Sequence, residues 1–298
     1  MFDYAALSAL AAVVREGSFE RAAAALHVTP SAVSQRIRAL EERVGCALVV
    51  RDQPCRATET GRRLCRHVDQ VGLLEQELQA ALPTRAPAGP TRVALPVAVN
   101  ADSLATWFAP AIAAYAADAP VLVELAVDDQ DHTSEWLRSG AVLAAVTGTA
   151  RPAAGCNSLP LGAMRYLAAA SPAFVARHFA GGVGAASLAR APSLAFNAKD
   201  DLQARWVRRL CHRDVALPRH TLPSTQAFVT AAVAGMGWGL QPLALVEPQL
   251  REGALVELLP ASPLDVPLYW QQARAASSLL DGLSRRIVAA AAQALRPA

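Results

Sequence analysis

Two sets of polar residues stand at spacings that suit chemistry. The first is Ser31, Ser34, Gln35 and Arg38 in "PSAVSQRIRALEERVG", one stripe of a helical repeat whose opposite stripe is Val33, Ile37, Leu40 and Val44. Short hydroxyls allow close approach to a nucleic-acid backbone, an amide can read a base edge, and a guanidinium binds phosphate. A solvated helix face would use the same residue types, so the neighbouring elements must decide between the two. The second set is Asn100, Asp102 and Ser103 in "VAVNADSLATWF", where an alternating apolar run stops and a helical one begins. Polar groups beside the free N–H groups of a helix start can hold a carboxylate, and Asp102 can hold a cation.

A second strand-to-helix junction, "LPSTQAFVT", offers Ser224 and Thr225. Other expected strand ends carry Thr147, Asn197 and the acids Asp128, Asp129 and Asp131. A helix cap or turn explains each of these singly; their recurrence at strand ends makes them, as a set, candidates for one ligand cleft. In that reading the Ser103 and Thr225 helix ends take a ligand carboxylate, while Asp102 or Asp129 takes an ammonium. No catalytic residue is assigned. Ser103 lacks a GxSxG elbow, the six His form no HExxH pair, and "GMGWG" follows a helical segment and reads as a tight turn instead of a dinucleotide loop. No metal site is expected either, because Cys46, Cys55, Cys65, Cys156 and Cys211 are scattered without a CxxC pair and read as free thiols.

The elements that must position the first set are short helices. Leu7, Leu10 and Val14 share one face, and Phe19, Ala22, Ala23 and Leu26 share another after Gly17-Ser18. Thr29 is placed to cap a third helix that starts at Pro30 and stops at Gly45. Two helices, a tight turn and a polar-faced third helix describe a helix-turn-helix. "ALVVRDQPCRATETG" then reads as a wing, with Arg51 and Arg56 flanking a proline turn. A helix follows from Thr58 to about Leu82, where Leu64, Val71 and Leu78 lie seven apart beside Val68 and Leu82, with Glu75 intruding. That seam suits pairing between two chains or packing within one. The proline-rich "LPTRAPAGPTR" reads as a linker.

Beyond it, "RVALPVAV", "VLVELAV", "LAAVTG", "RYLAAAS", "SLAFN" and "LYWQQA" read as strands separated by helices, which predicts a mostly parallel sheet, or two such sheets, wrapped by helices. The fold class is therefore mixed: an all-α winged helix-turn-helix over 1–58, a linker and dimerisation helix over 59–83, a hinge over 84–91 and an α/β domain over 92–298. The last divides into subdomain I, about 92–165 with 266–298, and subdomain II, about 166–265.

Composition fits this plan. Hydrophobic residues make up 53% and charged residues 18% of 298, no apolar run is long enough to span a membrane, and Asp3, Arg15 and Glu16 replace a signal peptide's pattern. A cytoplasmic protein without a membrane role is expected. Net charge is only +3, but from Arg15 to Arg66 ten arginines face six acids, a local excess that suits a polyanion.

"GSFERAAAALHVTPSAVSQRIRALEERVGCALVVR" followed by "TETG" resembles the amino-terminal domain of the LysR-type transcriptional regulators, with the likeness running from Leu7 to Leu78. The resemblance implies that Pro30, Ser31, Ser34, Gln35 and Arg38 face DNA, although many members carry Gln at the position of Pro30, and that Arg51 and Arg56 belong to the wing. "VAVNADSLATWF" with "LYWQ" looks like the LysG/ArgP group of that family, which responds to lysine and arginine and controls basic amino acid export. This implies a periplasmic-binding-protein-like pair of α/β subdomains whose cleft is lined at Asn100, Asp102, Ser103, Thr147, Asn197 and Thr225. It also implies promoter DNA, a second copy of the chain in a dimer or tetramer, and RNA polymerase as partners, with L-lysine or L-arginine as effector and no cofactor. The alternatives are an α/β small-molecule-binding protein without a DNA role, or a regulator of this type with a different effector.

Overall fold

The computed structural model describes residues 2–81, 93–119, 121–128 and 133–297. They group into two compact units, one built on the amino-terminal residues and one on most of the chain from Val93 onwards.

In the amino-terminal unit, α1 (Tyr4–Glu16) is capped by Asp3, whose carboxylate accepts from the Ala5 N–H, and ends at Gly17 in the left-handed conformation. Ser18 caps α2 (Phe19–Ala25), and Thr29 caps α3 (Pro30–Val44) by accepting from the Ala32 N–H at 3.2 Å. The antiparallel wing pairs β1 (Val49–Val50) with β2 (Arg56–Ala57), and α4 (Glu59–Ala81) follows. Leu7, Leu10, Val13, Val33, Ile37 and Leu40 meet in a core that Leu48 and Val49 close. The apolar stripes expected from periodicity all face it.

Leu64 and Val68 pack on this same core. At its amino-terminal end the expected pairing seam therefore serves the chain's own interior. The side chain of Leu78 and all of Leu82 to Arg92, with the expected hinge, lie outside the described residues. Gly61 shows why α4 starts where it does. A Cβ there would stand 2.1 Å from the Leu48 carbonyl oxygen, so only glycine lets the helix approach the wing this closely.

In the larger unit the chain runs β3 (Val93–Asn100), α5 (Ala101–Ser103), a π-helical turn (Leu104–Phe108), α6 (Ala109–Asp118), β4 (Val121–Asp128), α7 (Thr133–Arg138), β5 (Ala144–Thr147) and β6 (Cys156–Ala170). It continues through α8 (Pro172–His178), α9 (Ala185–Leu188), β7 (Ser193–Ala195), α10 (Leu202–Cys211), β8 (Arg219–Thr221), α11 (Thr225–Val233), β9 (Gly239–Pro242), α12 (Leu243–Arg251), β10 (Val256–Glu257), β11 (Leu264–Ala273) and α13 (Ser277–Ala294). The widened π turn precedes Pro110, whose ring would meet the carbonyl four residues back in a regular helix. No described helix is long and apolar enough to cross a membrane.

The sheets correct the expectation of a mostly parallel arrangement. Seven strands form one mixed sheet in which β3 is parallel to β4 and β5, while β11 is antiparallel to β5 and β6, and β6 is antiparallel to β9 and β10. A separate pair, β7 and β8, is parallel. The reason is β6: its first half pairs with β11 and its second half with β9 and β10, so one strand carries the chain across the sheet and β11 brings it back. Sequence reading placed a strand only at Arg165–Ser171, because Pro160 and Gly162 disguise its first half. The ladder absorbs both at a bulge, where Leu268 faces Gly162 but Tyr269 faces Pro160, and Gly162 takes φ +120. "GMGWG" is a turn, with Gly235 at φ +79, and leads directly into β9.

Candidate functional site

Two regions hold the residues singled out from sequence. On α3, Pro30, Ser31, Gln35 and Arg38 are exposed and Ser34 is half-buried, all opposite the core-facing Val33, Ile37 and Leu40. The Arg38 Nε donates to Glu42 Oε1 at 3.2 Å, an exposed pair that a phosphate can displace at little cost. In the wing, the Arg51 guanidinium lies 5.1 Å over the Phe19 ring, and Arg56 pairs with Asp52 at 2.9 Å. The wing tip is tied to the helices by the Cys55 N–H donating to the Gly17 carbonyl at 2.8 Å. Polar helix face and basic wing thus belong to one packed unit. All five cysteines are free thiols; burial pushes Cys65 up to about 11, which keeps it protonated and unreactive.

The second region is a cavity in the larger unit. Asp102, at the start of α5, is its centre: Oδ2 accepts from the Tyr166 hydroxyl of β6 at 2.8 Å, and Oδ1 accepts from the Thr225 hydroxyl of α11 at 2.9 Å. The two helix starts read from sequence are therefore joined through these side chains. Asp128, Asp200 and Gln241 also line the cavity, with Phe196, Phe228 and Leu240 as apolar walls. Its volume is about 30 Å³, room for one or two waters. An amino acid of arginine's length enters only if the walls separate, a movement that the hydrogen bonds of Asp102 to Tyr166 and Thr225 oppose.

Electrostatics at this cavity favour a cation. Asp102 is half-buried, and burial raises its pKa against the opposing effect of the two hydroxyl donors; the nearby Asp200 raises it further. Burial likewise raises Asp200, against the N–H groups of Phe196 and Leu202 that donate to it at 2.8 and 3.0 Å. Asp128 accepts from the Trp136 indole at 3.2 Å. Among the described residues that line the cavity there is no Lys, Arg or His.

Of the other residues expected there, Asn100 and Ser103 are fully buried with side chains that have no partner, but they do not form the lining. Thr147 accepts from the Thr149 N–H, Asn197 accepts from the N–H groups of Lys199 and Asp200, and Ser224 caps α11 through the Ala227 N–H. These are local bonds within turns and caps. Asp129 and Asp131 lie outside the described residues. Sequence reading missed Tyr166, Asp200 and Gln241 as site residues: Tyr166 and Gln241 lie within strands, and Asp200 stands just before α10 in a segment read only for Asn197. The one available signal was the paired acid of "AKDD", in the turn between β7 and α10.

A helix-turn-helix with a wing, followed by an α/β unit with a small cavity lined by acidic and apolar residues, matches one protein class. Residues 4–62 match the bacterial regulatory helix-turn-helix proteins of the lysR family, and residues 84–292 match the LysR substrate binding domain. The chain belongs to the LysR family of DNA-binding transcriptional regulators. It is 48% identical over 296 residues to the HTH-type transcriptional regulator ArgP of Pseudomonas aeruginosa, covering 99% of this chain and 98% of that protein. The crystal structure of ArgP from Mycobacterium tuberculosis superposes with a TM-score of 0.85 at 45% identity, over 98% of each chain. Full-length LysG from Corynebacterium glutamicum with bound effector Arg superposes with a TM-score of 0.75 at 39% identity, over 99% of this chain and 100% of that one.

Proposed function

We propose that this regulator senses a basic L-amino acid, arginine or lysine, and controls a gene for basic amino acid export. One observation carries the ligand class: the half-buried Asp102 and the buried Asp200 line a cavity whose described lining contains no basic residue. A neutral ligand would leave their charge without a counter-ion and an acidic one would be repelled, whereas a ligand cation pairs with them in a setting of low dielectric. The arginine bound to the related LysG structure supports the same reading.

DNA contacts are assigned to Pro30, Ser31, Ser34, Gln35 and Arg38 of α3 and to Arg51 and Arg56 of the wing. The effector region comprises Asn100, Asp102, Ser103, Asp129, Thr147, Asn197, Ser224 and Thr225, to which Asp128 and Asp200 are added. We divide the chain at 58, 83 and 91, and the α/β domain at about 165 and 265, within β6 and β11. Two copies pair through the distal part of α4, and dimers assemble into tetramers on promoter DNA in the cytoplasm. The ligand acts by preferring a wider arrangement of Asp102 against Tyr166 and Thr225, since equal affinity for both arrangements would shift nothing. That shift reaches DNA affinity, DNA bending or the contact with RNA polymerase.

Calorimetry with arginine, lysine and the neutral isostere norleucine tests the reading. Binding of the two cations with norleucine at least tenfold weaker is the expected result. Equal binding of norleucine refutes the charge argument.

A further inference from the structure

Gln241 is the residue of the cavity whose chemistry is unspent. It sits in β9 opposite Leu167 of β6, next to the register pair of Pro242 and Tyr166, and is 1% exposed. Its Oε1 and Nε2 are both buried and have no hydrogen-bond partner, although the residue lines the cavity. Its polar neighbours in the lining are differently placed: Asp102 already accepts two hydroxyls, and Asp200 two backbone N–H groups. An unpaired buried amide is costly, and its presence at the cavity points to a partner that arrives with the ligand.

The type of partner follows from what an amide offers. It has one acceptor and one donor side by side, whereas a guanidinium or ammonium side chain brings donors alone and would leave the amide N–H groups unused. An α-amino-acid head group presents an ammonium and a carboxylate on adjacent atoms, which matches both halves. We infer that Gln241 binds the head group of the effector, Oε1 accepting from the α-ammonium and Nε2 donating to the α-carboxylate, and so selects amino acids over the corresponding amines. The side-chain cation is then left to the carboxylates. This assignment rests on the basic amino acid reading above.

The test compares L-arginine with agmatine, which lacks the carboxylate, by calorimetric competition on the full-length protein and on Gln241→Leu. In the wild type, arginine binds tenfold or more tighter than agmatine, the scale of one hydrogen bond to a charged group. In Gln241→Leu arginine weakens by at least tenfold and agmatine, which keeps only the ammonium contact, by less, so the gap between them shrinks, while the ligand-free melting temperature stays level or rises, because the unpaired amide is gone. An unchanged gap overturns the assignment, as does an unchanged arginine affinity where agmatine competes with neither protein. A fall in ligand-free melting temperature with equal weakening of both ligands also overturns it, showing a structural role. If arginine and lysine both fail to bind the wild type, the basic amino acid reading itself fails, which is a separate outcome.

Discussion

Replacing Asp102 by asparagine should move ligand-free stability and effector binding in opposite directions. The amide is isosteric with the carboxylate. Its oxygen can keep one of the two hydroxyl bonds from Tyr166 and Thr225, at 2.8 and 2.9 Å, and the other hydroxyl can turn to accept from the amide nitrogen. What disappears is the cost of enclosing a charge. Ligand-free Asp102→Asn is therefore expected to be as stable as the wild type, or more stable by up to about 1 kcal/mol, which for a domain of this size raises Tm by roughly 2–4 °C. The pH dependence changes too. The folded-state pKa of Asp102 is raised, so the native protein holds that proton more tightly than the unfolded chain does. Its contribution is fully present below the unfolded pKa and is lost as pH rises through the raised folded value. Melting curves of wild type should decline over that window, and the variant should lose this share, leaving the part owed to Asp200. Effector binding goes the other way. Removing one partner of an enclosed charge pair costs about 2–5 kcal/mol, at least roughly thirtyfold in affinity for arginine or lysine. Melting curves from pH 4 to 8 and calorimetry on the same preparations read both effects. A variant that melts several degrees lower with an unchanged pH profile, or that binds arginine within threefold of wild type, refutes the reasoning.

Arg38→Ala should weaken binding to operator and random DNA alike and reduce the slope of log affinity against log salt by about 1, whereas Ser34→Ala should narrow the gap between the two DNAs, both read by fluorescence anisotropy across a salt series. Gly61→Ala places a Cβ 2.1 Å from the Leu48 backbone oxygen, which has no flexible side chain to give way. It should destabilise the DNA-binding unit by about 1–3 kcal/mol, seen as faster amide exchange in α1 and α3 with little change around β6. Thr29→Ala removes the cap on the Ala32 N–H and should cost about 1 kcal/mol by denaturant titration, with a matching loss of operator affinity.

The helix boundaries of the amino-terminal unit were readable because their causes are local. Ser18, Thr29 and Thr58 each accept from a backbone N–H three residues on, and Val33, Ile37 and Leu40 repeat at the spacing that buries one helix face. The first half of β6 was hidden for the opposite reason. Pro160 and Gly162 speak against a strand by every local measure, and only the facing bulge in β11 and the carboxy-terminal segment accommodate them. There the Ala163 N–H donates to the Arg296 carbonyl and the Arg296 N–H to that of Ala163.

For the ligand cavity the division is sharper. Sequence alone determined the polar-faced third helix, the wing, the alternation of strands and helices, and the polar helix starts at Asp102 and Thr225, all written in spacings of a few residues. Only the tertiary structure decided that these starts share hydrogen bonds across 123 residues, that Tyr166 reaches Asp102 across 64, and that Asp200 and an unpaired Gln241 complete the same enclosure. Periodicity encodes which face of an element is buried. Which distant polar groups are buried together depends on how β6 and β11 pair, and no local spacing records that.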